Sequence, residues 1–168
     1  MNEPLLNETR QPALSIAPLA TDADRAAFRA LNEAWISDFF ELEAADRASL
    51  ADPDGHYIAP GGAVFMAHLG GRSVGCVALC PEGPGVFEVS KMAVDPAAQG
   101  RGVGRRLLAH AVAQARGMGA HKLVLASNVR LGPAVHLYES LGFRHLAAHE
   151  WPHTPYVRAD VFMELALS

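Results

Sequence analysis

The chain contains 168 residues, half of them hydrophobic, and its 14 basic and 18 acidic side chains give a formal net charge of −4. This length predicts one domain, over residues 15–168, after a polar, proline-containing and flexible tail over residues 1–14. A mildly acidic chain without a Lys/Arg-rich run disfavours nucleic acid or a membrane surface as a partner. No apolar run approaches the roughly 20 residues that span a bilayer, and the first residues lack the positive start of a signal peptide. We therefore expect a cytoplasmic protein.

The N-terminal part predicts a strand and two helices. A short apolar run from Leu14 to Leu19 predicts an edge strand. Thr21 or Asp22 can cap the next helix, because a short polar side chain accepts hydrogen bonds from the free amides of a first turn. The apolar face of that helix contains Ala27, Leu31, Ala34 and Trp35. A second helical stretch runs from about Phe40 to Leu50, and its acidic face carries Glu41, Glu43 and Asp46.

The rest of the chain predicts strands first and then alternating strands and helices. Gly70-Gly71 lies between two apolar runs and predicts a hairpin with a tight turn. The predicted elements are, in chain order, strands Ala63–Leu69, Arg72–Cys80 and Val86–Val94, a helix ending near Met118, a strand Lys122–Ser127, a helix Pro133–Leu141 and a strand near Val161–Leu165. This order implies an α/β (α+β) fold with a mixed sheet and helices on its faces.

Both cysteines, Cys76 and Cys80, lie in one predicted strand, four positions apart. Four residues of a strand span about 13 Å, whereas a disulfide needs Cα atoms within about 7 Å. We therefore expect two buried free thiols rather than a disulfide.

The most informative segment is a glycine-rich loop that leads into an amphipathic helix. Its sequence is Asp95-Pro96-Ala97-Ala98-Gln99-Gly100-Arg101-Gly102-Val103-Gly104-Arg105-Arg106. Alternating glycines let the backbone turn so that several N–H groups point to one place, and the helix adds the positive end of its dipole. Arg101 and Arg105 add permanent positive charge. The segment therefore predicts an anion site suited to a pyrophosphate.

Two common phosphate-binding motifs do not match this loop. A P-loop ends in Gly-Lys-Ser/Thr, but Gly104 is followed by Arg105. A dinucleotide-binding loop has its third glycine where Arg105 stands, and the next strand ends in Ser127-Asn128 without the acidic residue that holds a ribose. A helix start in which the glycines only permit close packing is the structural alternative.

The segment Gln99–Gly104 resembles the Gln/Arg-x-x-Gly-x-Gly/Ala signature of the GNAT superfamily of acyl-CoA-dependent N-acyltransferases. The resemblance extends to Glu88–Val94 before the loop and Leu137–Phe143 after it, and it is looser over the N-terminal helices. It implies a mostly antiparallel central sheet of about six to seven strands, with splayed central strands and about four flanking helices. It also implies an acetyltransferase that uses acetyl-CoA.

The resemblance further implies which residues contact the donor. The backbone of Met92 and Val94 would pair with the pantetheine arm, and an N–H near Met92 or Ala93 would polarise the thioester carbonyl. Asn128, just past the next strand, would contact the pantetheine or the acceptor. The pyrophosphate would bind to the loop residues Gln99, Gly100, Arg101, Gly102, Val103, Gly104 and Arg105.

Transfer to an amine needs a base, because an alkylamine has a pKa of about 10.4, and an acid for the departing thiolate. Tyr138 is the candidate acid, since the family pattern places a tyrosine beside the CoA sulfur; a core position is its alternative. Glu88 is the candidate base, and an exposed carboxylate at a strand start is its alternative. Unless a bulge interrupts the strand, alternation puts Lys91 on one face, structural or solvent-facing, and Glu88, Ser90, Met92 and Val94 on the other.

The acceptor site is expected in the N-terminal helices and the loop before the last strand, with Trp35, Phe39, Trp151 and Tyr156 as candidate residues. The acidic residues near Phe40 would suit an amine with extra positive charge; core aromatics beside a solvated acidic face are the alternative. His145, His149 and His153 have a metal-compatible spacing only on a helix, which Pro152 and Pro155 disfavour. We therefore expect no metal.

Together these features predict an N-acetyltransferase that transfers the acetyl group of acetyl-CoA to a primary amine of a small molecule or peptide, by direct attack in a ternary complex. The alternative is a non-catalytic acyl-CoA-binding regulatory or sensor domain. Transfer to an alcohol, or transfer of a longer acyl chain, would use the same acyl-CoA-binding loop. The sequence leaves open the acceptor and whether the chain forms a homodimer.

Overall fold

Local sequence signals set the first strand and the first helix. In the computed structural model, which describes residues 12–167, β1 spans Leu14–Pro18 and α1 spans Asp22–Phe39. Thr21 Oγ1 accepts a hydrogen bond from the Asp24 N–H at 3.1 Å, and Asp24 Oδ2 accepts one from the Thr21 N–H at 3.2 Å. This reciprocal pair satisfies free amides at the helix start and confirms Thr21 as the cap. Residues 1–11 of the predicted tail, and Ser168, lie outside the described residues.

The second helix begins later than predicted. Phe40 is extended, with φ −145° and ψ −170°, and ends α1, whereas α2 spans Ala44–Ala51. The start of α2 is fixed by Asp46, whose Oδ2 accepts a hydrogen bond from the Glu43 N–H at 2.9 Å. A π-helical turn, Asp54–Ile58, follows α2.

The later elements agree with the predicted order. They are β2 Ala63–Leu69, β3 Arg72–Gly83, β4 Val86–Val94, α3 Val103–Gly117, β5 Lys122–Ser127, α4 Gly132–Ser140, β6 Arg144–His145 and β7 Val161–Ala166. The two-residue strand β6 is not predicted, because so short an element leaves no periodic pattern in the sequence. Over residues 12–167, no helix combines the length and apolar character needed to cross a membrane.

All seven described strands form one sheet in the order β1-β2-β3-β4-β5-β7-β6, with β1 at one edge. β4 and β5 are parallel and pair only where Val86–Glu88 meets Lys122–Val124, while the other neighbouring strands are antiparallel. Beyond Glu88 the two strands are unpaired. The structure thus confirms a mostly antiparallel sheet with splayed central strands.

A β-bulge in β4 changes which side chains share a face. Ala78 of β3 is opposite Ser90 of β4. Cys76, two residues earlier in β3, is opposite Ala93, which is three residues later in β4. The extra residue lies at Lys91, which has a positive φ of 52°. One extra residue reverses the alternation, so the exception stated for the predicted alternation applies: Glu88 and Ser90 do not share a face with Met92 and Val94.

The sheet separates two hydrophobic clusters. On one face α3 packs through Leu107, Leu108, Ala111 and Ala115 against a cluster that also includes Met92 and Val94. The other face, which includes Cys76 and Ala78, is covered by α1 and α2 through Phe28 and Leu50. Residues directly opposite in an antiparallel pair share a face, so Ser90, opposite Ala78, and Glu88, opposite Cys80, lie on this second face. Both cysteines are free thiols, as predicted, but only Cys76 is buried, whereas Cys80 is half-buried.

Candidate active site

A cavity of about 730 Å³ opens where β4 and β5 separate. Its walls come from the unpaired part of β4, the glycine-rich loop, the start of α3, α4, the end of α1 and the segment before β7. The lining includes most of the predicted site residues: Trp35, Phe39, Glu88, Met92, Ala93, Val94, Gln99, Gly100, Gly102, Val103, Gly104, Arg105, Asn128, Tyr138 and Tyr156. The splayed strands therefore gather residues that are distant in the sequence around one space.

The glycine-rich loop presents free backbone to this cavity. Gly100 and Gly102 have positive φ values of 81° and 72°, and a Cβ on either would meet no atom within 4 Å. The first helical hydrogen bond of α3 runs from the Arg106 N–H to the Gly102 oxygen at 3.1 Å. By helix geometry, the amides before Arg106 have no partner within the helix and can bind a ligand.

The two predicted loop arginines are placed differently. Arg105 lines the cavity, and its Nη2 donates to Ser140 Oγ at 2.8 Å, which ties α3 to the end of α4. Arg101 is exposed and does not line the cavity. Arg105 is therefore the loop arginine that the structure brings to the cavity.

Tyr138 of α4 lies in the wall of the cavity, with its ring centroid 6.0 Å from that of Phe143. Burial raises the pKa of Tyr138 to about 12, so the hydroxyl keeps its proton at neutral pH. The phenol thus has one side in the core and can still act as a proton donor in the cavity.

Glu88 is half-buried on β4, opposite Cys80, and it lines the same cavity. The pKa of Glu88 is raised to about 7, first by burial and then by the charge of Glu82, while the charge of Lys91 opposes the rise. A carboxyl group with this pKa exchanges a proton near neutral pH, which a general base requires. The alternative of an exposed surface carboxylate does not hold.

Lys91 is neither on the opposite face from Glu88 nor exposed to solvent, which corrects its predicted placement. The bulge directs its side chain to the α2 side, where Nζ donates to Asp46 Oδ1 and, at 3.1 Å, to the hydroxyl of Tyr156. Arg158 holds the same carboxylate through Nη1 at 2.6 Å and Nη2 at 2.7 Å. Burial by itself would raise the pKa of Asp46, but the hydrogen bonds from Arg158 and Lys91 hold it at about 2.

The acidic face of α2 therefore serves the protein itself. Asp46 is fully buried between two cations, and Glu43 accepts from the Val157 N–H at 3.0 Å and from Arg158 Nη1 at 3.3 Å. These contacts fix the segment before β7, which includes Tyr156, against α2. The suggestion that Glu43 and Asp46 bind a cationic acceptor is wrong, since internal cations already neutralise them.

Aromatic side chains line the end of the cavity formed by α1. Trp35 is held by a buried amide: its Nε1 donates to Asn32 Oδ1 at 3.0 Å, and Asn32 Nδ2 donates to the Phe28 oxygen at 2.9 Å. Phe39, Phe40 and Tyr156 complete this end. Ala34, predicted on the apolar face of α1, is exposed.

Trp151 is the predicted acceptor residue that the structure keeps away from the cavity. Its ring lies 4.8 Å from Phe162, centroid to centroid, and its Nε1 donates to the Leu146 oxygen at 3.1 Å. The backbone turns after β6 and packs the indole on β7 instead. The loop before β7 thus contributes Tyr156 and Arg158 rather than Trp151.

Asn128 links two segments of the wall. Its Nδ2 donates to the Arg158 oxygen at 2.7 Å, and its Oδ1 accepts from the Arg130 N–H at 2.8 Å. The carboxamide is therefore engaged with the protein and positions the segment before β7. Within residues 12–167, no three His, Cys, Asp or Glu side chains are grouped as a metal site.

Three residues that line or support the site were not predicted from the sequence: Asn32, Arg130 and Arg158. Asp46 was considered only as a contact for a cationic amine, not as an internal ion-pair partner. Asp46 and Arg158 are 112 positions apart, so no local spacing connects them. The local signal for Asn32 was its helical spacing, which places this polar residue between the buried Phe28 and Ile36 and so calls for a hydrogen-bond partner.

Splayed central strands with a glycine-rich helix start beside the gap give the chain a mixed α/β architecture with a cavity at its centre. The family model described as "Acetyltransferase (GNAT) domain" matches residues 60–145. The chain is 29% identical over 160 residues to an uncharacterized N-acetyltransferase of Schizosaccharomyces pombe, over 92% of this chain and 96% of that protein. It is 32% identical over 126 residues to the IAA acetyltransferase of Azospirillum brasilense, over 73% and 75%. This chain belongs to the GNAT acetyltransferase family.

Solved structures share the fold at lower sequence identity. An acetyltransferase of the GNAT family from Staphylococcus aureus has a TM-score of 0.84 and 17% identity, covering 93% of this chain and 100% of its own. The Salmonella typhimurium yncA protein, solved with its cofactor acetyl-CoA, has a TM-score of 0.73 and 24% identity, covering 93% and 95%. These neighbours agree with the seven-stranded sheet described above.

Proposed function

We propose that this chain is an acetyl-CoA-dependent N-acetyltransferase that passes the acetyl group directly to a primary amine of a small molecule or peptide, within a single domain over residues 15–168. One observation carries the proposal: a single cavity contains the first amides of α3, the unpaired edge of β4, Glu88 and Tyr138. The acetyl-CoA complex of a structural neighbour supports the same donor.

The cofactor end of the cavity fits acetyl-CoA. The open space at Gly100 and Gly102 lets phosphate oxygens approach the backbone amides, and Arg105 supplies positive charge beside them. The unpaired edge of β4 offers backbone groups to an extended amide-containing arm, as an added strand would. When bound, acetyl-CoA supplies the activated acetyl group.

Glu88 and Tyr138 divide the proton transfers. Glu88 accepts a proton from the acceptor amine, either directly or through water, so that a free electron pair can attack the thioester carbon. A backbone N–H near Met92 or Ala93 polarises the carbonyl oxygen. Tyr138 donates its hydroxyl proton to the departing thiolate sulfur, and no covalent bond to the protein is needed. Such positioned groups each contribute roughly 10²–10⁴-fold, beside the gain from holding amine and thioester together.

The test uses the purified full chain, acetyl-CoA and a panel of primary amines, with thiol release and acetylated product measured in parallel. We expect thiol release that depends on the amine and matches product formation. Binding of acetyl-CoA without any acceptor-dependent release, unchanged by Tyr138→Phe, would instead identify a non-catalytic acyl-CoA-binding domain. A series of acyl-CoA esters and an alcohol panel, run in the same assay, define the acyl chain and the acceptor class.

A further inference from the structure

Arg130 is a cation at the acceptor end of the cavity that the mechanism above does not use. It follows β5, and its backbone N–H is anchored on Asn128 Oδ1 at 2.8 Å. Its guanidinium carbon lies 5.2 Å from the centroid of the Phe40 ring. Arg130 lines both the main cavity and an adjoining cavity of about 620 Å³. It therefore stands where an acceptor would enter.

A second arginine on the same ring shows by contrast what is unusual about Arg130. Arg158 lies 5.9 Å from the Phe40 centroid, and its guanidinium is bonded to Asp46 and Glu43. Arg130 makes no salt bridge within the described part of the chain, although Glu43 also lines the smaller cavity. Of the two guanidinium groups over one ring, one is neutralised by the protein and the other keeps its donors free.

A guanidinium stacked on an aromatic face retains the N–H groups in its plane, because the ring contacts only its face. Those donors match the two oxygens of a carboxylate, and such charge-assisted pairs are among the stronger hydrogen bonds. A phosphate of the donor offers the same chemistry. The location favours the acceptor, since Phe40 belongs to the aromatic end formed by α1, whereas the free amides and Arg105 lie at the start of α3.

Building on the proposed function, we propose that Arg130 binds a carboxylate of the acceptor, so that the preferred acceptors are amino acids or short peptides rather than simple alkylamines. Such an acceptor presents its amine to Glu88 and its carboxylate to Arg130. The aromatic residues Trp35, Phe39 and Tyr156, which line the same cavity, favour an apolar body. Arg130 is then a specificity-determining residue for the transfer reaction.

The experiment compares acceptors that differ only by the carboxylate: phenylalanine with phenethylamine, and leucine with isopentylamine. For the wild-type chain we expect an acceptor KM at least about tenfold lower for the amino acid of each pair, as one charge-assisted hydrogen-bond pair provides. In Arg130→Gln that ratio should fall towards one. Arg29→Gln is the matched control, because Arg29 lies on α1 and is paired with Glu33 at 2.7 Å outside the cavity; it should keep the wild-type ratio.

Three results would overturn the inference, and they are distinguishable from failure of the proposed function. Equal KM values within each pair would remove the carboxylate site. A raised KM for acetyl-CoA in Arg130→Gln, with the acceptor ratio unchanged, would assign Arg130 to a phosphate of the donor. Binding of N-acetylphenylalanine and N-acetylphenethylamine to the CoA-loaded chain, measured by calorimetry, tests the site without turnover. Equal affinities for the two N-acetyl compounds would also overturn the carboxylate site. If the chain bound the carboxylate compound more tightly but showed no turnover, only the proposed enzymatic function would be contradicted.

Discussion

Arg158 binds Asp46 through both terminal guanidinium nitrogens, at 2.6 and 2.7 Å, and this fork joins the segment before β7 to α2. The same carboxylate accepts a hydrogen bond from Lys91, the bulge residue of β4. One buried anion thus connects the strand that borders the cofactor end with the segment that carries Tyr156. The position of Tyr156 in the wall of the cavity therefore depends on Asp46.

Asp46→Asn should destabilise the fold, because it leaves buried Lys91 without its ion-pair partner and leaves Arg158 with Glu43 alone. Removing one partner of a buried ion pair costs about 3–5 kcal/mol, and chemical denaturation measures this loss. Acceptor KM should rise more than the KM for acetyl-CoA, since the segment before β7 loses its anchor. Asp54→Asn is the control: its pair with Arg25 is partly exposed, so its effect should stay within about 1 kcal/mol. An unfolding free energy equal to wild type would contradict the role of Asp46.

The same network predicts acid sensitivity. The pKa of Asp46 is held at about 2, below its ordinary value of 3.8, so ionised Asp46 stabilises the fold above about pH 4. That contribution is lost as the pH falls through the folded value. The free energy of unfolding of the wild type should therefore decline between about pH 4 and pH 2, and that of Asp46→Asn should decline less. Parallel slopes for the two proteins would argue against the network.

Glu88→Gln should reduce kcat/KM by roughly 10²-fold or more, because no carboxylate remains to accept the proton of the amine. In the wild type kcat/KM should rise with pH through about 7, the pKa to which burial raises Glu88. Glu82→Gln is a second variant to compare, because the charge of Glu82 helps to raise the pKa of Glu88. In this variant kcat/KM should still rise with pH, but the midpoint of that rise should lie at a lower pH. A wild-type profile that persists in Glu88→Gln would exclude Glu88 as the base.

The raised pKa of Glu88 also predicts a stability effect of known sign. The folded chain holds this proton more tightly than the unfolded chain, so the protonated form favours folding and the advantage is lost as the pH rises through about 7. Glu88→Gln removes this penalty of a buried charge. The Tm of the variant relative to wild type should therefore increase from about pH 5 to about pH 8, and thermal unfolding at both pH values measures it.

Tyr138→Phe should lower turnover while the affinity for acetyl-CoA stays near wild type, because the ring keeps its packing on Phe143 and only the hydroxyl is lost. Single-turnover rates and a binding titration separate the two quantities. Unchanged turnover would show that Tyr138 serves the core alone.

Gly104→Val should weaken acetyl-CoA binding by at least about tenfold, or about 1.4 kcal/mol. A Cβ at Gly104 meets only Leu137 at 3.5 Å and Val94 at 3.7 Å, which are ordinary contacts, so a large loss reports interference with the ligand. Gly117→Val, at the far end of α3, is the matched control. Gly102→Val should also block binding, but its φ of 72° adds backbone strain. Near wild-type affinity for acetyl-CoA in Gly104→Val would contradict the assignment of the glycine-rich loop as the acetyl-CoA-binding segment.

The sequence by itself determined the elements that depend on near neighbours. The Thr21 cap forms with Asp24, three residues away, and the amphipathic face of α3 follows from its own periodicity. The hairpin at Gly70-Gly71 and the glycine-rich loop are equally local, because their backbone angles need residues that tolerate a positive φ. Glu88 and Tyr138, which line the cavity, were predicted as site residues from motifs whose residues lie on single elements.

Tertiary structure alone decided where the long-range partners meet. One extra residue in β4 reverses the alternation and directs Lys91 into the protein, and a pattern of period two does not record such a bulge. Asp46 accepts hydrogen bonds from Lys91 and Arg158, which are 45 and 112 positions away in the sequence. A residue that the sequence placed on an acidic helix face is therefore a buried ion-pair partner. Trp151 packs on Phe162 rather than the cavity, and Arg130 meets Phe40. Pairing of distant charges and rings follows from how strands and segments pack together, and for that reason the acceptor end of the site is visible only in the folded chain.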